Sequence, residues 1–184
     1  MTTELVCSGF GGQGVLTTGQ IVADIALACD MYPTWIPSYG AEMRGGRAFC
    51  TVKVDPVKVG TPALEEADIL LAMNRPALSF TERMRSGGVL LINTDIVSDY
   101  SEDVTRSDIT VHEIPFDSLA REIGNPKGAN VLAAGVVCSL MGLDYATGEA
   151  AMLDFFEQKG KGKFAEGNKK AFELGYHYLK QQGE

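Results

Sequence analysis

Three glycines, Gly9, Gly11 and Gly14, stand at the spacing G-x-G-x-x-G within Gly9-Phe10-Gly11-Gly12-Gln13-Gly14. The apolar run from Leu5 to Ser8 precedes them, and a helix-like pattern opens at Val15. In a strand–turn–helix such glycines allow a tight turn, backbone approach by a ligand, and close helix packing. The free N–H groups and partial positive charge at the start of the following helix suit phosphate. Val15 and Leu16 occupy the positions where a P-loop needs Lys and Ser/Thr, which excludes an ordinary P-loop NTPase. An NAD enzyme needs an acidic residue closing the second strand. That strand, Tyr32 to Ile36, instead runs into Pro37-Ser38-Tyr39, and Asp30 stands at its wrong end.

A second chemical stretch follows at once: Ser38, Tyr39, Glu42, Arg44, Gly45, Gly46 and Arg47 lie within eleven residues beginning at Pro37. Glycines explain a loop; two neighbouring arginines do not. Guanidinium groups beside exposed backbone suit a phosphate, a carboxylate or the acidic side chain of a partner. Ligand site and subunit interface are equally good readings. Asn130, in the first turn of an apolar helix, either caps that helix or faces a ligand together with Lys127. The alternation Lys159-Gly160-Lys161-Gly162-Lys163 reads as a mobile, solvated connection. His112 falls in a strand and His177 on the last helix. Neither has a nucleophile beside it in sequence, and both read as structural or exposed. Cys7, Cys29, Cys50 and Cys138 are scattered without a C-x-x-C pair, and read as small buried thiols rather than metal or cluster ligands.

The elements that must position these residues alternate between strand and helix. Leu5–Ser8 reads as a buried parallel strand, and Gly14 to Cys29 as a helix with Val15, Gly19, Val22, Ala26 and Cys29 on one face. Ala48 to Val54 alternates as a half-buried strand; Ile69–Met73, Val89–Asn93 and Ile109–Ile114 are further strands. A helix is expected from Asn74 to Arg85, a turn at Ser86-Gly87-Gly88, and a surface loop from Asp95 to Asp108. Helices follow at Pro115–Ile123 and Gly128–Leu143, then one capped by Thr147 and reaching Gln158, then Phe164–Lys180. This order predicts a single α/β domain over residues 1–184, Rossmann-like, its largely parallel sheet flanked by helices and its C-terminal helices appended. Ligands of such sheets bind at the carboxyl ends of the strands, where Phe10–Gly14 and Ser38–Arg47 meet.

The 184 residues carry a net charge of −8, with 45% hydrophobic and 22% charged residues. This is a globular composition, too acidic for general nucleic-acid binding. Val131–Leu143 is the longest apolar segment and is too short to span a bilayer, while Glu4 and the glycine turn interrupt any signal-peptide core. No membrane association and a cytoplasmic location are expected.

Taken together, Gly9-Phe10-Gly11-Gly12-Gln13-Gly14, the run from Pro37 to Gly46, Asn125-Pro126-Lys127-Gly128-Ala129-Asn130 and Ala171-Phe172-Glu173-Leu174-Gly175 resemble the gamma subunit of 2-oxoacid:ferredoxin oxidoreductases. The Ser-Tyr-Gly-x-Glu-Met-Arg-Gly-Gly version is most similar to the 2-oxoglutarate and branched-chain 2-oxoacid enzymes. Ala41 stands where those often have proline, and Arg47 where threonine is frequent. The resemblance implies a multisubunit enzyme that makes acyl-CoA and CO2 from a 2-oxoacid and reduces ferredoxin. Alpha and beta subunits would hold thiamine diphosphate, and iron–sulfur clusters would sit in partner subunits such as a ferredoxin-like delta chain. The gamma chain would cap the active site and help bind coenzyme A. For this chain that implicates Gly9, Gly11, Gly12, Gln13, Gly14, Ser38, Tyr39, Glu42, Arg44, Gly45, Gly46, Arg47, Lys127 and Asn130, with no catalytic residue of its own. Pyruvate or indolepyruvate relatives, a purely structural subunit, and an independent nucleotide-binding enzyme are the alternatives.

The scattered cysteines carry an expected outcome. Purified anaerobically, the isolated chain should be colourless, and iron and acid-labile sulfide assays should find neither at stoichiometric level.

Overall fold

The computed structural model describes residues 2–39, 46–58 and 60–183. Six strands form one sheet in the order β2-β3-β1-β4-β5-β6: β1 (Thr3–Phe10), β2 (Tyr32–Tyr39), β3 (Arg47–Asp55), β4 (Ala67–Ala72), β5 (Met84–Asn93) and β6 (Thr110–Ile114). β1, β4, β5 and β6 pair in parallel, whereas β3 runs antiparallel to both β1 and β2. The carboxyl ends of five strands and the start of β3 therefore share one edge of the sheet.

β1 is central, and its side chains alternate between two apolar cores. Leu5 and Cys7 join Cys50, Val52, Ile69 and Leu71 beneath the helices; Val6 joins Leu70, Leu90 and Ile92 on the other face. The helical layer comprises α1 (Val15–Ala28), α2 (Phe116–Glu122), α3 (Ala129–Leu140), α4 (Tyr145–Gln158) and α5 (Ala165–Gln181). The second face is covered by a 3-10 segment, Arg75–Arg83, contributing Ala77, Leu78 and Phe80. β2 lies at the sheet edge and contains Pro33 and Pro37, residues that a central strand would exclude.

α3 is buried nearly all round, which explains its apolar composition. It crosses α5 where Gly135 and Gly175 face the opposite backbone: a Cβ on Gly135 would strike the Phe172 carbonyl, and one on Gly175 the Leu132 carbonyl. Far from the carboxyl edge, Lys53 Nζ lies 2.9 Å from Glu4 Oε1, its cross-strand neighbour, and both are buried. Lys53 also donates to Ala63 O at 3.3 Å, and Glu4 Oε2 accepts the Glu65 N–H at 2.8 Å, so the buried pair is hydrogen-bonded on both sides.

Four expectations are revised. Residues 75–83 form 3-10 turns rather than an α-helix; Asn74 caps their start, its Oδ1 accepting the Ala77 N–H at 3.0 Å. β5 begins at Met84 and continues through Ser86-Gly87-Gly88, where the Gly87 N–H donates to Asp108 O at 2.7 Å. α4 is capped by Asp144 rather than Thr147: the Asp144 carboxylate accepts the Thr147 N–H at 2.9 Å, starting the helix at Tyr145. The stretch after β5 is not all surface, since Val97 is buried in the second core. The structure also makes direct cross-strand neighbours of Cys7 and Cys50, far apart in sequence. Their mutual hydrogen bond and burial push the Cys7 thiol well above its ordinary range.

The α3–α5 crossing predicts that Gly175→Ala destabilises the protein by about 1–3 kcal/mol, since a carbonyl cannot rotate aside as a side chain can. Urea unfolding followed by circular dichroism measures this.

Candidate functional site at the carboxyl edge

β1 ends at Phe10, and α1 begins after four intervening residues. Gly14 makes the junction with φ 77°, and a Cβ there would lie 2.9 Å from Asn130 Cβ. Both the backbone angle and the absent side chain are needed. Thr18 N–H donates to Gly14 O at 2.9 Å, closing the first turn of α1. The N–H groups of Val15, Leu16 and Thr17 therefore have no acceptor within the helix. Thr18 Oγ1 lies 3.1 Å from Asn130 O, so α3 is tied to the same turn.

Gln13 works inside the turn. Its Oε1 accepts the Phe10 N–H at 2.6 Å and its Nε2 donates to Met73 O at 2.9 Å, pinning the glycine turn to the end of β4. Gly9 packs against this amide. Gly11 N–H donates to Gly46 O at 3.0 Å, so the segment leading into β3 closes directly on the glycine turn. Gly12, with φ 106°, has open space where its Cβ would be.

The other residues singled out in the sequence separate into four groups. Ser38 and Tyr39 end β2 in register with Phe49 and Ala48. Arg47 does not project toward the glycine turn: Nη2 donates to Ser79 Oγ at 2.6 Å, and the guanidinium lies over Phe80, 4.9 Å from the ring centroid. Glu42, Arg44 and Gly45 lie outside the described residues. Lys127 and Asn130 line a cleft of about 550 Å³, together with Thr17 from α1, Asn125, and Phe156, Lys161, Phe164 and Asn168 from the C-terminal part. Lys127 and Asn130 share one cleft, as the ligand-facing reading of Asn130 expects, whereas Thr17, Phe156, Lys161, Phe164 and Asn168 carry no such signal in the sequence and the Lys-Gly alternation reads as a linker.

At the same edge the buried Ser8 Oγ and Asn74 Nδ2 have no hydrogen-bond partner. Asn93, ending β5, donates from Nδ2 to Asp117 Oδ2 at 2.7 Å. His177 packs its ring 5.3 Å from both Tyr145 and Tyr176, which fits its structural reading. Among the described residues no three His, Cys, Asp or Glu side chains gather as a metal site. No helix among them is long and apolar enough to cross a membrane. The arrangement is suited to holding an anionic ligand along backbone N–H groups and lysines.

An open α/β sheet with a glycine turn at its carboxyl edge defines a class of ligand-binding subunits and domains. The chain belongs to the pyruvate ferredoxin/flavodoxin oxidoreductase family, whose model matches residues 4–178. It is 34% identical over 180 residues to the ketoisovalerate oxidoreductase subunit VorA of Methanothermobacter marburgensis, covering 96% of this chain and 36% of that protein. Thus it spans about a third of the length of VorA. It is 31% identical over 185 residues to the 2-oxoglutarate synthase subunit KorC of Methanocaldococcus jannaschii, covering 98% of this chain and 96% of that one. A solved keto/oxoacid ferredoxin oxidoreductase gamma subunit from Geobacter sulfurreducens superposes with a TM-score of 0.78 at 27% identity, over 95% of this chain and 96% of that one. The fold is also that of a 2-oxoglutarate:ferredoxin oxidoreductase from Magnetococcus marinus, solved with 2-oxoglutarate, coenzyme A and succinyl-CoA bound. There the TM-score is 0.84 at 21% identity, over 98% of this chain and 31% of that one.

Because Gln13 holds two backbone groups of different strands, Gln13→Ala should loosen the glycine turn specifically. Hydrogen exchange followed by mass spectrometry should show the Phe10 amide exchanging at least tenfold faster, while β5 amides keep their protection.

Proposed function

We propose that the chain is the gamma subunit, a single domain over residues 1–184, of a 2-oxoacid:ferredoxin oxidoreductase. The complex would convert a 2-oxoacid and coenzyme A to acyl-CoA and CO2, with electrons passing to ferredoxin. 2-Oxoglutarate is the favoured substrate, since likeness to the 2-oxoglutarate synthase subunit extends over nearly the full length of both chains. The VorA likeness, at slightly higher identity, keeps a branched-chain 2-oxoacid as the second reading. Thiamine diphosphate and iron–sulfur clusters belong to alpha, beta and delta-type partners in this reading. They supply the carbanion and the electron path.

The observation that carries the gamma-chain role is the bond between Gly11 N–H and Gly46 O. It brings Gly46, two positions after Arg44 in the sequence, against the glycine turn and a helix start that favours anions, which supports assigning Arg44 to the same anion. Coenzyme A brings phosphates to such a place, and the chain closes over thiamine diphosphate held by its partners. Gly9, Gly11, Gly12, Gly14 and Gly46 shape this seat and Gln13 fixes it, with Ser38 and Tyr39 ending the neighbouring edge strand. The coenzyme A bound in the Magnetococcus marinus enzyme supports the reading.

Arg44→Ala in the reconstituted complex should leave assembly intact by size-exclusion chromatography and raise the KM for coenzyme A about ten- to hundredfold. This corresponds to a charge-assisted hydrogen bond of about 1.5–3 kcal/mol. A complex that fails to assemble would instead make Arg44 an interface residue.

A further inference from the structure

We propose that Cys7 and Cys50 are a redox-active dithiol that a small peroxide closes to a disulfide, with the Trp35 N–H holding the Cys50 sulfur as it reacts. The four cysteines are scattered in sequence, and the sheet brings these two together. They are direct partners on antiparallel β1 and β3, and both side chains enter the core beneath the helices. Residues so opposed have Cα atoms about 4.5–5.5 Å apart, inside the about 4.4–6.8 Å that a disulfide spans. The bond can therefore close by side-chain rotation, without moving either strand.

Two features set this pair apart from inert buried thiols. The first is Trp35 Nε1, which is buried and has no hydrogen-bond partner. It and Cys50 Sγ flank one point on α1: a Cβ on Gly19 would strike the sulfur and lie 3.3 Å from the indole nitrogen. Indole nitrogen is a donor only, and a thiolate formed at Cys50 is an acceptor beside it. The second feature is an asymmetry between the sulfurs. The hydrogen bond from Cys7 holds the Cys50 thiol below its ordinary range against the opposing effect of burial, and Trp35 acts in the same direction. Cys7 itself is shifted upward. Cys50 is thus the attacking sulfur and Cys7 the resolving one.

Both sulfurs are fully buried, which restricts the oxidant to a molecule of roughly water's size, and hydrogen peroxide is of that class. The Cys50 thiolate attacks one peroxide oxygen. The O–O bond breaks, and the hydroxide released takes up the proton that Cys50 gave up, leaving as water. The Cys7 sulfur then attacks the Cys50 sulfenic acid; the S–O bond breaks, and the hydroxyl leaves as water with the Cys7 proton. The dithiol is oxidised by two electrons and the peroxide is reduced by the same two. The reaction reports to the glycine turn. Reduced Cys50 donates its S–H to the carbonyl of Val15, the first residue of α1, at 3.5 Å. The disulfide removes that donor and draws the sulfur toward Cys7, so the oxidised chain holds the start of α1 less firmly.

The test treats the full chain, reduced and cleared of reductant, with hydrogen peroxide. Non-reducing peptide mapping should find Cys7 joined to Cys50. Fluorescence of Trp35, the one tryptophan of the chain, should fall as the disulfide forms beside it, and dithiothreitol should reverse both changes. In Cys7→Ser, Cys50 should stop at the sulfenic acid and be trapped by dimedone. Trp35→Phe keeps an aromatic ring without the donor, and should form the disulfide about tenfold more slowly. Thermal melting checks that both variants stay folded. If Cys7 and Cys50 both remain open to alkylation once the peroxide-treated parent is unfolded, or if other cysteines are joined in their place, the proposal is overturned whatever the variants do. A folded Trp35→Phe chain oxidised at the parent rate overturns the role of the indole.

Discussion

The contact between Gly14 and Asn130 is the constraint on which the rest of the carboxyl edge depends. A left-handed residue without a side chain lets α1 start directly against the first turn of α3. Thr18 then bonds the Gly14 and Asn130 carbonyls, locking two helix starts together. Move that contact by one methyl group and the glycine turn, the helix that follows it and the wall of the cleft all shift. Gln13 and the Gly11–Gly46 bond complete the frame by tying it to β4 and β3. The geometry of this edge is thus set by backbone placement first and by side-chain amides second.

Much of the fold was legible because period and punctuation agree in this chain. The alternation in Ala48–Val54 and the three-and-four spacing after Gly14 each named their element correctly. Failures came where a side chain competed with the backbone pattern. Asn74 took the cap of a segment that winds as 3-10 turns, and Asp144 took the capping role one turn before Thr147. At the site, the glycine spacing found the turn, but not that Gln13 spends its amide on the protein itself. Arg47 looked like a ligand group by proximity to glycines, yet strand alternation sends it to the other face, against Ser79 and Phe80. No local pattern could join Asn125, Lys161 and Asn168, because the α4–α5 junction meets the start of α3 only after the helical layer packs.

Charge is organised with similar economy. The buried Glu4–Lys53 pair sits at the opposite end of β1 from the glycine turn, where its partners on residues 63–65 satisfy it. It reinforces the antiparallel register of β1 and β3, since a one-residue slip would leave both ions unpaired and buried. That register in turn delivers Gly46 to Gly11. An ion pair at one end of β1 thereby helps set the geometry of the glycine turn at the other.

The two prolines of β2 bear on how neighbours can approach. A sheet edge normally offers a row of free N–H and C=O groups on which another chain can build. Pro33 and Pro37 remove two of those donors from a strand of eight residues. Growth of the sheet across this side is therefore interrupted at two points, and lateral strand addition is disfavoured there. A neighbour meeting this flank has to read side chains, among them the half-exposed rings and methyls of Tyr32 and Ile36. Such contacts form and break without unzipping a hydrogen-bonded ladder, so association on this side stays separable from the folding of the sheet itself.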